Sequence, residues 1–297
     1  MSDHPIAPNS PAQILWHHPP ACTLGEGVLW DPRSQRVYWV DILEKKLHSL
    51  TAAGTHLQSW SVPQQLTSIG LRLEGGFVGT LRTGFAFTTD PGEPWRPLCN
   101  PTQEAANNRF NDGTPGPDGG FWAGSMDDDE LHPNGHLYHY SATGVCTVID
   151  SEYVITNGPA FNLDGTVMYH TDTLQRTIYA FDMRPTGITN KRVHIQIPDN
   201  AGYPDGMTVD AKGYLWVCHF AGGHITRYRP NGQLERTLTL PVPNITCATF
   251  GGPDLRTLFV TTANKGMTTE QRQACPEAGH LFALDVDTQG VAAHTFG

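Results

Sequence analysis

A unit of forty-odd residues recurs along this chain, and it constrains the fold more than any other feature. Each unit runs from a polar residue into a short apolar stretch, a turn and a second apolar run. Examples are "EGVLWDPRSQRVYWVD" from Glu26, "SIGLRLEGGFVGTL" from Ser68 and "DGTPGPDGGFWAGSMD" from Asp112. The others are "NGPAFNLDGTVMYHTD" from Asn157, "YPDGMTVDAKGYLWV" around Asp205 and "TCATFGGPDLRTLFVT" from Thr246. The starts lie 42, 44, 45, 48 and 41 residues apart, and four of them carry a glycine eight residues on: Gly76, Gly120, Gly165 and Gly213. A third run follows in most units, as in "KKLHSL", "GHLYHY", "RTIYAF", "GHITRY" and "GHLFAL". These runs are short, rich in β-branched and aromatic residues, bounded by Gly, Asp and Pro, and lack the 3.6-residue period of helical repeats.

About four short strands in each such period make a blade of a β-propeller. The expected fold is therefore all-β, a six-bladed propeller in one domain over residues 1–297. "AQILW" at 12–16 is expected to give the last blade its outer strand and close the ring, with 1–11 a loose leading segment. Within the fifth unit, Asp205-Gly206 reads as a turn ahead of the buried strand Tyr214–Val217.

Composition narrows the function. A net charge of −10 without clustered Lys or Arg argues against nucleic acid as a partner. The six cysteines are scattered with no C-x-x-C pair, which fits buried, reduced thiols in a cytoplasmic protein. No signal peptide is evident at the start, and no apolar run approaches the length that crosses a membrane. The sequence is compatible with a monomer. Its fourteen histidines form no H-E-x-x-H pattern, and His17-His18 before Pro19-Pro20 reads as an exposed loop. The absence of G-x-S-x-G and of a P-loop argues against a serine hydrolase and a nucleotide kinase.

The innermost strands of a propeller line its central channel, so the six unit starts should converge there: Glu26, Ser68, Asp112, Asn157, Asp205 and Thr246. Glu26 is not a turn former, which argues for a role beyond turn chemistry. Carboxylates and amides on one channel make a hard-oxygen site for a divalent cation, and paired ionised carboxylates call for one. The same side chains could equally cap local backbone N–H groups; spacing leaves both readings open.

"LGEGVLWD", "NRFNDG", "FWAGSM", "TNGPAFNLDGTVMYHTD" and "YPDGMTVDAKGYLWV", in this order along the whole chain, resemble the regucalcin/senescence-marker-protein/gluconolactonase family. The resemblance implies a six-bladed propeller that hydrolyses sugar lactones with one divalent metal ion (Ca, Mg, Mn, Zn or Fe(II)) in the central channel. It implies metal ligands at Glu26, Asn157 and Asp205; by its own chemistry Asp205 can serve at the same time as general base or proton shuttle. Sugar contacts are implied at Arg109 and Asn111 and, in an acidic loop, at Asp129. The expected activity is metal-dependent opening of an aldonolactone to its acid. Two rivals share the fold: a calcium-binding or sugar-sensing propeller without turnover, and a six-bladed hydrolase of other lactones or esters. The latter would favour a catalytic His, and no His stands at a unit start.

Overall fold

A computed structural model describes residues 9–101, 103–184 and 187–297. Its six sheets form the six blades of a β-propeller, as the repeat implies. The innermost strands are Gly25–Asp31, Leu66–Arg72, Asn108–Pro115, Thr156–Phe161, Tyr203–Val209 and Ile245–Gly251. Each pairs antiparallel with the next strand outward. The third strands coincide with the third apolar runs of the sequence, from Lys46–Thr51 to Leu281–Asp285.

Apolar residues alternate along these strands so that each sheet presents a face to both neighbours, and the core is divided accordingly into six clusters. Leu29, Tyr38 and Val40 of the first blade pack on Leu66, Ile69 and Phe77 of the second. The other clusters join the second to the third blade, the third to the fourth, the fourth to the fifth, the fifth to the sixth and the sixth to the first. At roughly 25 cal/mol for each Å² of apolar surface removed from water, these interfaces are the main source of stability.

Ring closure is made by Gln13–His18, which pairs antiparallel with Leu281–Asp285 as the outer strand of the sixth blade. His17 and His18 are therefore not loop residues: they face Phe282 and Leu281 in this ladder. Residues 1–8 of the expected loose segment lie outside the described residues, and Asn9–Pro11 instead add a parallel strand beside Leu234–Thr239 of the fifth blade. At the other terminus, Thr295–Phe296 run parallel to the innermost strand of the second blade. All six cysteines are free; Cys22, Cys218 and Cys247 are buried. No helix among the described residues is long and apolar enough to cross a membrane.

The turn expected at Asp205-Gly206 lies elsewhere. Both residues belong to the strand Tyr203–Val209, and the turn that follows is organised by Asp210. Asp210 Oδ1 accepts the N–H groups of Lys212 (2.8 Å) and Tyr214 (3.1 Å), while Gly213 takes the left-handed conformation (φ 75°). Asp31, Asp118, Asn162 and Asp254 accept backbone N–H groups in the same way after the first strands of four other blades. This is the side-chain-to-backbone turn chemistry for which Asp and Asn are suited.

Candidate metal centre and substrate cavity

Every innermost strand changes register near its start. The shift falls between Glu26 and Leu29, Phe110 and Gly113, Asn157 and Ala160, Pro204 and Met207, and Ile245 and Ala248, with a shorter one between Leu66 and Ser68. A bulge leaves residues unpaired and re-aims side chains at the rim of a sheet. Glu26 and Asn157 are the last paired residues before their bulges, each followed by a left-handed glycine (Gly27, φ 54°; Gly158, φ 73°). Asn111 and Asp205 are the first residues inside theirs.

The result is one cavity of about 340 Å³ at the mouth of the channel, lined by Glu26, Arg109, Asn111, Asn157 and Asp205. The other three unit starts do not join it. Asp112 borders a smaller cavity of about 120 Å³ deeper in the channel, which Val291–His294 help to line. Its carboxylate accepts the N–H groups of Gly113 (2.7 Å) and Gly158 (3.0 Å). Ser68 bonds Thr80 Oγ1 at 2.5 Å, and Thr246 Oγ1 donates to Gly25 O at 2.6 Å, tying the sixth blade to the first. Asp129 is exposed, outside the cavity lining, and accepts from Asn107 Nδ2 at 3.0 Å.

A directional chain of hydrogen bonds fixes the polar wall. Arg109 donates from Nε to Asp128 (3.0 Å) and from Nη1 to Asn111 Oδ1 (2.7 Å) and to Phe110 O (3.0 Å). Asn111 Nδ2 donates to Asn157 Oδ1 (3.0 Å), Asn157 Nδ2 to Thr173 Oγ1 (2.8 Å), and Thr173 Oγ1 to Pro204 O (3.0 Å). This chain sets both amides: the oxygen of Asn157 is turned toward Asn111, with a lone pair to spare.

The carboxylates are in the opposite situation. No side chain among the described residues donates a hydrogen bond to Glu26 or Asp205; Glu26 receives only the Gly27 N–H at 3.3 Å. Both pKa values are pushed well above the carboxylate range. For Glu26 the causes are burial, then the charges of Asp205 and Asp112; for Asp205 they are burial, then Asp112. Buried like charges without donors are costly, and a divalent cation relieves that cost. Two carboxylates and an amide oxygen form the all-oxygen set that suits a hard ion and unlike the usual zinc ligands. The site fits a divalent cation on this ground. Among the described residues no His lines the cavity, and no three His, Cys, Asp or Glu groups cluster as ligands by themselves.

Unit spacing did not point to two lining residues, Glu130 and Lys265, whose side chains pair at 2.6 Å. Both lie in loops between second and third strands, outside the repeated core of the unit. Apolar lining comes from Leu24, Met126, Ile155, Leu174 and Phe220, with Tyr203 beside them.

A family profile described as "SMP-30/Gluconolactonase/LRE-like region" matches residues 24–264. Among similar proteins, a 6-deoxy-6-sulfogluconolactonase from Pseudomonas putida is 33% identical over 92% of this chain and 94% of its own length. A pentonolactonase from Haloferax volcanii is 32% identical over 91% of this chain and 93% of its own length. A crystal structure of a calcium-binding protein, regucalcin, from Agrobacterium tumefaciens superposes with a TM-score of 0.92 at 25% identity. It covers 98% of this chain and 100% of that one.

Proposed function

This chain belongs to the SMP-30/gluconolactonase/LRE-like family, and on that premise we propose that it is a lactonase that opens a sugar lactone with a divalent cation held by Glu26, Asn157 and Asp205. The observation that carries this reading is the pair of buried carboxylates, each without a side-chain donor, on the wall of a cavity large enough for a sugar lactone. When bound, a divalent cation at this place supplies Lewis acidity toward the ester carbonyl and toward water.

The chain's own groups supply the rest. Asp205 accepts the proton of the attacking water as its oxygen bonds to the carbonyl carbon. It then returns that proton to the ring oxygen as the carbon–oxygen bond breaks, leaving a hydroxy acid. Arg109 and Asn111 orient substrate hydroxyls, Asn111 as an acceptor because both its N–H groups go to Thr156 O and Asn157 Oδ1, and Arg109 Nη2 faces the developing oxyanion. Their mutual hydrogen bond, and that from Asn111 to Asn157, hold this geometry before substrate arrives. The apolar wall offers Leu24, Met126, Ile155, Leu174 and Phe220 to the carbon skeleton of the sugar ring. The absence of a lining His among the described residues disfavours a histidine-based six-bladed hydrolase.

The test is proton release from a panel of neutral and charged aldonolactones with the purified protein. Saturable turnover of at least one is expected. A protein that binds a divalent cation at this site and turns over none would be a calcium-binding or sugar-sensing propeller.

A further inference from the structure

The two cations in the cavity lining differ in how freely their charge can move. Arg109 is only 4% exposed and is pinned through Nε to Asp128 and through Nη1 to Asn111 and Phe110, with Nη2 left to face substrate. Lys265 has one side-chain partner, Glu130, and an ammonium carries three donors. Their side chains are 36% and 40% exposed, so the pair is of the solvent-screened kind that exchanges at little cost.

The pair also spans the mouth. Glu130 lies between the second and third strands of the third blade, and Lys265 in the corresponding interval of the sixth. In a ring of six these blades face each other. Both backbones are set for this meeting. Lys265 N donates to Thr23 O (2.9 Å), and its carbonyl accepts from Asn244 Nδ2 (3.1 Å). Glu130 holds the left-handed conformation (φ 60°) that a side-chain-bearing residue seldom adopts, with its N–H on Asp127 O at 3.0 Å. A ligand entering from above therefore meets this ion pair on its way to Glu26 and Asp205.

We infer that Lys265 is a specificity-determining residue that exchanges Glu130 for an anionic group on the end of the lactone remote from the ester, so that the preferred substrates are acidic sugar lactones. A carboxylate, sulfonate or phosphate oxygen would serve equally, each accepting a charge-assisted hydrogen bond from the ammonium. The inference rests on the lactonase reading for its substrate class.

The experiment compares gluconolactone with its 6-phosphate in wild type, Lys265→Met, Lys265→Arg and Glu130→Gln. The readout is the ratio of kcat/KM for the anionic over the neutral lactone. Losing one charge-assisted hydrogen bond should lower this ratio roughly 10–100-fold in Lys265→Met. Lys265→Arg should keep most of it, and Glu130→Gln should raise it by freeing the ammonium. A ratio unmoved by Lys265→Met overturns the inference. So does a ratio lowered alike by Lys265→Met and Glu130→Gln, the mark of a purely structural strap. Calorimetric binding of 6-phosphogluconate and gluconate to wild type and Lys265→Met needs no turnover. If no lactone of the panel is hydrolysed, the lactonase reading falls separately, and an affinity difference between the two acids that Lys265→Met leaves unchanged overturns the role of Lys265.

Discussion

At the scale of single residues, Asp205 and Glu26 look interchangeable as buried carboxylates, yet the mechanism gives them different work. Asp205→Asn keeps an oxygen ligand and removes both charge and proton acceptor. Its kcat should fall by roughly 10²–10⁴, the span of general acid–base catalysis, and stay low at saturating cation. Glu26→Gln loses a ligand charge but no base, so excess cation should restore more of its rate. Steady-state kinetics across a cation titration checks both. Wild-type turnover of Asp205→Asn at saturating cation would make Asp205 a ligand only. The identity of these residues was legible in the sequence because the unit starts and the family motifs converge on them. Their surroundings were not, since Asn111 and Asp112 are adjacent in sequence and only the bulge decides which one reaches the mouth cavity.

At the scale of elements, the recurring Asp or Asn after a first strand is the device that turns the chain. In the fifth blade it is also an anchor: Asp210 Oδ2 accepts from Arg227 Nη2 (2.6 Å) and Trp216 Nε1 (2.9 Å), with the two charged side chains 0% and 3% exposed. Removing Asp210 leaves buried Arg227 with only the part-exposed Glu235 (3.1 Å) as counter-charge, at a cost of about 3 kcal/mol, the low end for a broken buried pair. Asp210→Ala should therefore lower the unfolding free energy measured by denaturant titration by that amount; a change under about 1 kcal/mol, the worth of a surface pair, would contradict this account. Strand count, strand order and the closing strand followed from spacing, because a blade cannot bury its faces without neighbours on both sides. The place of the turn was misread for a physical reason. Asp-Gly favours a turn, but Gly206 also lets two inner strands approach: a Cβ there would stand 2.8 Å from Cys247 Sγ. Glu130 and Lys265 were missed because loops between second and third strands vary outside the repeated unit.

At the scale of the whole molecule, the closed ring buries histidines along with its apolar residues, and this couples stability to pH. Neither ring nitrogen of buried His170 has a partner among the described residues, and burial pushes its pKa down to about 3. Burial likewise lowers His219 to about 3 and His48 to about 4. Each folded pKa lies below the unfolded value near 6.5. As pH falls below ~6.5 the unfolded chain therefore binds a proton that the folded chain refuses, and stability drops by about 1.4 kcal/mol per pH unit per histidine. The raised carboxyls of Glu26, Asp112 and Asp205 act in the opposite sense, but equally in wild type and in a histidine variant. His170→Leu should gain on wild type by about 1.4 kcal/mol for each unit between pH ~6.5 and ~4 in urea unfolding. Parallel pH profiles would contradict the neutral, buried state of His170. The blade interfaces that make the ring are apolar and independent of any ion, whereas the chemistry proposed at its mouth depends on one. The most direct test is therefore lactone turnover by protein stripped with chelator, verified metal-free by elemental analysis, and then resupplied with each divalent ion in turn. The account predicts that turnover vanishes while the β-sheet circular dichroism persists, and that at least one ion restores the rate. Full turnover by the metal-free protein would contradict it.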